Sequence, residues 1–247
     1  MKVSIITIVY NNRETIADAV ASVLEQTYPD IEYIVVDGLS TDGTIEILNQ
    51  YGDKISRFVS EKDGGLYDAI NKGIKLATGD VIGFLHSDDI FYSPNSIALV
   101  AEAFEAKNTD SVYGDLLYVQ RANTEKVVRN WVSGDYNRQS FLYGWMPPHP
   151  TFYVKREVYQ RLGLYNTEFK SAADYELMLR YLYKHQITTT YIPEKLVKMR
   201  VGGKSNVTLK NRMRANQEDY NAWRINGLNP PFYTRFLKPL RKLVQFI

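Results

Sequence analysis

The chain opens on an unbroken run of apolar and β-branched residues, Val3-Ser4-Ile5-Ile6-Thr7-Ile8-Val9. A run without in–out alternation predicts a strand buried on both faces, as parallel sheets require. Tyr10-Asn11-Asn12 ends it, and Ile16, Ala19, Val20, Val23 and Leu24 then recur at helical spacing. A second strand over residues 31–36 ends at Asp37, and residues 38–43 turn into a short helix carrying Ile45, Ile47 and Leu48. A third strand covers residues 55–59. Gly64-Gly65 precedes a helix with Leu66, Ala69, Ile70, Gly73, Ile74 and Ala77 on one face, and Gly79 stands where a helix stop is expected. The fourth strand, residues 81–85, runs into His86-Ser87-Asp88-Asp89. Strand and helix in strict alternation predict an α/β fold, a Rossmann-like, mostly parallel sheet with helices on both faces.

Beyond a helix started by Ser93-Pro94, with Ile97, Val100, Ala101 and Phe104 inward, the alternation stops near residue 110. Residues 111–120 and 126–131 read as antiparallel strands around a polar turn at Asn123-Thr124. Residues 133–150 form a long loop rich in Gly, Pro and aromatic residues, a kind of segment that is often functional. A short strand (151–154), a short helix stopped by Gly163, a helix opened by Asp174, strands over 187–192 and 197–201 and a polar helix over 208–226 complete the pattern. This predicts a single domain over residues 1–226, with a nucleotide-binding half (1–110) and a smaller, antiparallel acceptor half (111–226). A basic amphipathic tail, 227–247, follows.

Composition narrows the function classes. Net charge is +2 over 247 residues, and the only basic cluster is the short terminal one, so nucleic acid is not an expected partner. Cysteine is absent, which excludes disulfides and thiolate metal sites. No apolar run reaches 18 residues, and the N-terminus enters a strand at once. A cytoplasmic protein is expected. In the tail, Arg235, Lys238, Arg241 and Lys242 alternate with Phe232, Phe236, Leu240, Leu243, Val244 and Ile247. That pattern suits either a helix packed on the domain or one lying on anionic lipid, peripherally on the inner face of the membrane.

The candidate chemistry lies at strand ends, because open α/β sheets bind ligands beyond the carboxyl ends of their strands. Asp37 ends the second strand; Asp88 and Asp89 follow the fourth. Adjacent carboxylates repel one another, and a divalent cation relieves that repulsion while gripping phosphate oxygens. Ser-Asp-Asp is equally an ordinary turn, and Asp37 an ordinary turn aspartate. Gly64-Gly65 ahead of a helix offers backbone amides to phosphate or makes a plain helix entry. Lys204, in Gly202-Gly203-Lys204-Ser205, is a candidate cation over a diphosphate or a surface turn residue.

Residues 4–12, the Val-Asp-Gly-Leu-Ser-Thr-Asp-Gly-Thr segment (36–44), residues 64–73 with Gly79-Asp80, and Ser87-Asp88-Asp89 resemble, in order and spacing, the inverting family 2 glycosyltransferases of GT-A fold. His149-Pro150-Thr151 and Asp174-Tyr175-Glu176-Leu177 extend the match more loosely. The resemblance implies transfer of a sugar from a nucleoside diphosphate sugar, with UDP foremost, to a hydroxyl of a glycan or lipid-linked acceptor. By it, Asp37 contacts the base, with Thr7 and Val9 beside it and Gly64 near the phosphates. Asp88 sits at the ribose and Asp89 holds Mn2+ or Mg2+. Asp174 is the general base, and His149 matches a less defined mid-chain histidine that is functional or merely structural. The sequence departs from the family pattern where Ser87 takes the first position of the Asp-X-Asp motif and Ala173 replaces an acidic residue before Asp174. A nucleotidyltransferase and a catalytically silent nucleotide-sugar-binding module are the competing readings. Against the first, residues 9–12 lack a Gly-rich, basic first loop.

Overall fold

A computed structural model describes residues 1–202, 209–234 and 237 of the chain. Lys204 and the tail positions Arg235, Phe236 and 238–247 lie outside the described residues. The first half runs β1 (Val3–Val9), α1 (Ile16–Leu24), β2 (Ile31–Asp37), α2 (Thr44–Asn49), β3 (Arg57–Ser60), α3 (Leu66–Leu76) and β4 (Val81–Phe84). It continues through the two-residue β5 (Ile90–Phe91), α4 (Ser96–Lys107), and the hairpin β6 (Ser111–Gln120) and β7 (Asn123–Trp131). Then come β8 (Tyr153–Lys155), α5 (Arg156–Leu162), α6 (Ala173–Met178), β9 (Thr189–Arg200) and α7 (Leu209–Ile225).

The strands form one sheet in the order β3-β2-β1-β4-β8-β6-β9-β5, with β7 paired to β6. β1 pairs in parallel with β2 and β4, and β2 with β3, so their carboxyl ends share one rim. Alternate residues of β1 enter different cores. Ile6 and Ile8 pack with α3 and the 141–182 region, and Val3, Ile5 and Val9 with α1 and α4. Both faces are therefore covered, as the unalternating runs predict.

Several local expectations change. Gly79 is not the stop of α3, which ends at Leu76. A Cβ on Gly79 would lie 2.6 Å from Ser4 Oγ and 2.8 Å from the Lys2 carbonyl, so it is glycine because the chain passes β1 at close range. Helix α4 is capped at Asn95, not Ser93, because Pro94 still faces outward, its carbonyl accepting from Thr27 N. Leu66 is half exposed, and Tyr67 takes the inner position of that turn. The two strands expected over 187–201 are one strand. β9 carries Pro193 and runs parallel to β6 with register shifts at Tyr113–Leu116, a bulge that absorbs the interruption. β6 thus has antiparallel neighbours, β7 and β8, and a parallel one, β9.

Candidate active site

Past the end of β4 the exposure alternates. Leu85, Ser87 and Asp89 are buried, while His86 and Asp88 are partly exposed. Ser87 and Asp88 form a turn closed by the Asp89 N–H donating to the His86 carbonyl at 3.0 Å, which leaves His86 and Asp88 on the open side. Ser87 is tied back to the β1–α1 loop, its Oγ accepting from Asn12 Nδ2 (2.9 Å) and its carbonyl from Thr15 Oγ1 (3.0 Å). Asp88 keeps a quarter of its side chain exposed and faces Arg121 of the β6–β7 turn at 3.8 Å. Arg121 also reaches Glu14 at 3.3 Å.

Asp89 is sealed, with 1% of its surface exposed. Its Oδ1 accepts from the backbone N–H of Arg200 at 3.1 Å, and its Oδ2 has no hydrogen-bond partner. Burial, reinforced by the neighbouring Asp88 charge, pushes its pKa well above the usual carboxylate value, against the opposing pull of Arg200. The Arg200 guanidinium closes this corner. It donates to the Asp88 carbonyl (2.9 Å), the Arg121 carbonyl (3.2 Å) and Asp18 Oδ2 (2.5 Å).

Across the rim, Asp174 lies in the first turn of α6 with about a fifth of its side chain exposed. Its Oδ1 is 3.5 Å from the Tyr67 hydroxyl and its Oδ2 is 3.6 Å from His149 Nδ1. His149 Nε2 is 3.0 Å from His86 Nε2. Burial lowers His149 to about 4. Burial, and then the neighbouring His149, lower His86 to about 4 against the opposing effects of Asp88 and Asp174. Both rings are therefore neutral at physiological pH. The segment before α6 is fixed from outside by Glu218 of α7, which accepts from the backbone amides of Lys170, Ser171 and Ala172 at 2.8–3.2 Å. Trp223 Nε1 donates to the Tyr175 hydroxyl (2.9 Å) and Asn226 Nδ2 to Glu176 (3.0 Å), so α7 buttresses α6 along its length.

The residues expected around the nucleotide are placed differently. Thr7 is fully buried, its Oγ1 donating to the Leu85 carbonyl and accepting from Tyr33. Val9 packs in the core against α1. Neither side chain faces the cleft, because both sit at odd positions of a strand covered on that face. Asp37 is fully buried too. It accepts from Ser40 Oγ, from Ser40 N (3.0 Å) and from Ser60 Oγ (2.7 Å), closing its own turn. The amides of Gly64 and Gly65 donate to Asp68 and Asp63, so these carboxylates occupy the groups expected to meet phosphate. The side chains brought together are Asp88, His86, His149, Asp174 and Tyr67. His86, Tyr67, Arg121 and Arg200 were not foreseen. For His86 the signal was present: it stands two residues before Asp88 at a strand end.

Among the described residues, no group of three or more His, Asp or Glu side chains could hold a metal by protein atoms alone. An ion that arrives with a diphosphate needs only one or two carboxylates. Asp88 offers one that is partly exposed, and the next residue, Asp89, carries an Oδ2 without a hydrogen-bond partner. The donor set therefore fits a diphosphate-borne ion and not a resident one. A depression of about 630 Å3 beside α7, bordered by Glu168, Arg214, Glu218 and Arg224, shares no residue with this cluster.

The backbone is similar to that of Staphylococcus aureus TarS 1–349 in complex with UDP-GlcNAc (TM-score 0.71, 20% identity), over 92% of this chain and 65% of that one. It is likewise similar to mannosyltransferase PcManGT from Pyrobaculum calidifontis in complex with GDP-Man and Mn2+ (TM-score 0.67, 19% identity), over 98% of this chain and 69% of that one. These likenesses establish the GT-A fold. In sequence, the chain is 34% identical over 180 residues to an uncharacterised glycosyltransferase of Mycobacterium tuberculosis, covering 72% of this chain and 68% of the relative. It is 30% identical over 175 residues to a PGL/p-HBAD biosynthesis glycosyltransferase of Mycobacterium bovis, covering 69% and 66%. The sequence model of glycosyl transferase family 2 matches residues 4–166, and with these relatives it identifies the chain as a family 2 glycosyltransferase.

Proposed function

We propose that this glycosyltransferase moves a hexosyl group from a UDP-linked donor to a hydroxyl of a glycan or lipid-linked acceptor, with inversion at the anomeric carbon. The observation that carries this reading is the juxtaposition of two kinds of carboxylate. Asp174, from the second half of the chain, is linked through His149 and His86 to the strand end bearing Asp88. In this reading residues 1–110 carry the donor, residues 111–226 the acceptor, and residues 227–247 form a separate tail. UDP is favoured because TarS binds UDP-GlcNAc and UDP, although PcManGT binds GDP-Man.

Asp174 accepts the proton of the acceptor hydroxyl as that oxygen bonds to the anomeric carbon. The bond from this carbon to the diphosphate oxygen breaks on the opposite face, and direct displacement inverts the configuration. Tyr67 and His149 hold the two carboxylate oxygens from either side. They stand at 3.5 and 3.6 Å from those oxygens. Mn2+ or Mg2+ bound with the diphosphate would rest on Asp88, next to Asp89, and would neutralise charge on the leaving group. Asp88 takes this role in place of Asp89 because it is the exposed member of the pair. Asp37, with three donors already on its carboxylate, holds the β2–α2 turn beneath the nucleotide.

No helix among the described residues is long and apolar enough to cross a membrane. The exposed Phe232 and the basic tail beyond it support docking on anionic lipid at the inner face of the cell membrane, where a lipid-linked acceptor would be met.

Thermal unfolding with UDP, GDP, CDP and dTDP, each with and without Mn2+, tests the donor assignment. A ligand that binds only the folded state at a hundredfold excess over Kd adds about 2.7 kcal/mol of stability. The expected result is a Mn2+-dependent shift with UDP that is lost in Asp88→Asn. A shift that persists in Asp88→Asn and vanishes only in Asp89→Asn returns the metal to Asp89. No shift with any diphosphate refutes the donor reading.

A further inference from the structure

We infer that His86 is a positioning residue: its Nε2–H donates to His149 Nε2, and His149 Nδ1 in turn faces Asp174 at 3.6 Å, so that a row of side chains sets the base from the strand end that carries Asp88. This deepens the proposed function and rests on its assignment of Asp174 as the base.

The geometry leaves little freedom in where the protons lie. Two ring nitrogens 3.0 Å apart form a hydrogen bond only if one carries a proton and the other a lone pair. A neutral imidazole has one of each. The Asp174 carboxylate is acceptor-only when ionised, and at 3.6 Å from His149 Nδ1 its charge favours the neutral tautomer that carries the proton on that nitrogen. His149 Nε2 is then the acceptor, and His86 Nε2 must be the donor. The row therefore runs in one direction, from His86 to Asp174. It also joins elements far apart in sequence, since His86 and His149 are 63 residues apart. The rings are tilted by 55° with centroids 5.1 Å apart, an edge-on approach that suits a nitrogen-to-nitrogen bond and not a stack.

The consequence is mechanical. Tyr67 faces one oxygen of the Asp174 carboxylate and His149 the other. Tyr67 comes from α3. The His149 ring is held by His86, so the second contact is only as well placed as His86 allows. Replacing His86 with an apolar residue frees the His149 ring to rotate or change tautomer. The base then loses its orientation while the donor-binding groups remain.

The chain has three histidines, so 15N-labelled imidazole spectra are simple to assign with His185→Gln as a reference. The expected result in the wild type is His149 as the Nδ1–H tautomer and His86 as the Nε2–H tautomer. The opposite tautomer at either ring, or a doubly protonated ring at neutral pH, overturns the inference without any activity measurement. Kinetics supply the second arm, read as UDP release from UDP-glucose, UDP-galactose or UDP-N-acetylglucosamine with Mn2+. His86→Leu should lower kcat by roughly tenfold to a hundredfold, with the donor KM nearly unchanged. His86→Gln, which keeps an N–H donor, should recover most of that loss, whereas a merely structural role would give no such rescue. His86→Leu added to His149→Leu should cost little more than either alone. If His86→Leu turns over like the wild type while Asp174→Asn is inactive, the relay is wrong and the base stands. If Asp174→Asn itself remains active, it is the base assignment that fails.

Discussion

The carboxylates of the two sides of the rim are held in opposite ways. On the first-half side Asp37 is fully buried and accepts two hydrogen bonds from Ser40 in its own turn and one from Ser60 at the end of β3; at the opposite, amino-terminal end of the sheet Glu32 is held as tightly, accepting from Ser4 Oγ (2.6 Å), Thr78 N (2.8 Å) and Thr78 Oγ1 (2.7 Å). On the second-half side Asp174 is partly exposed, and its Tyr67 and His149 neighbours stand at 3.5 and 3.6 Å. A carboxylate saturated by short bonds is a structural fastener, because removing it strands buried donors. A carboxylate with loose neighbours and an open side is ready to exchange a proton. In the proposed function Asp37 accordingly belongs to the scaffold and Asp174 to the chemistry.

The contrast is broken most severely at Asp174. Asp174→Asn should lower turnover by about 10²–10⁴-fold, the usual contribution of a positioned general base, with the UDP-induced thermal shift intact. Loss of that shift as well would make Asp174 a binding residue. Asp37→Ala should do the reverse. It should cost about 2–3 kcal/mol of stability by leaving Ser40 and Ser60 without their acceptor, seen as a lower denaturation midpoint. At a temperature where the variant stays folded, per-molecule turnover should be nearly normal; a collapse of UDP affinity there would restore Asp37 to the nucleotide site.

The smallest effect is expected from acid. Burial pushes Glu32 up, but hydrogen bonds from Ser4 and Thr78, together with Lys2, outweigh it and bring its pKa down to about 2 from 4.5. The depressed folded value means the unfolded chain binds the proton first, so this stabilisation is complete above about pH 5 and is lost as pH falls towards 2. Denaturant titrations should register a loss on the order of 1–2 kcal/mol by pH 3, largely absent in Glu32→Gln. An equal loss in both proteins would mean Glu32 is not the sensitive group.

Much of this organisation was legible along the chain. β1, β2 and β4 announce themselves because both faces are buried, and Gly163 stops α5 with φ +84°. What was not legible depends on partners distant in sequence. Thr7 and Val9 look like strand-end residues, yet the parity of the strand turns them under the sheet. Asp88 and Asp89 differ by one position yet differ in exposure, because the Arg200 backbone N–H, more than a hundred residues later, holds the second while the first stays partly exposed. Gly79 looks like a helix stop, but close passage past Ser4 is what selects it. Local pattern determines where a strand ends, whereas the residue that faces the cleft is chosen by what packs behind it.

The Arg200 corner has a consequence for the order in which the protein is built. One side chain bonds to α1, to the turn after β4 and to the β6–β7 turn, and its contact with Asp18 spans 182 residues. β5, which follows the carboxylates directly, pairs among the described residues with β9 alone. The Asp-Asp turn is thus synthesised early and assembled late. On the ribosome it stays unfinished until β9 emerges, and such long-range closure is intrinsically slow. A fragment ending near residue 110 would carry most of the family's recognisable motifs yet lack the Arg200 contacts that close the Asp-Asp turn.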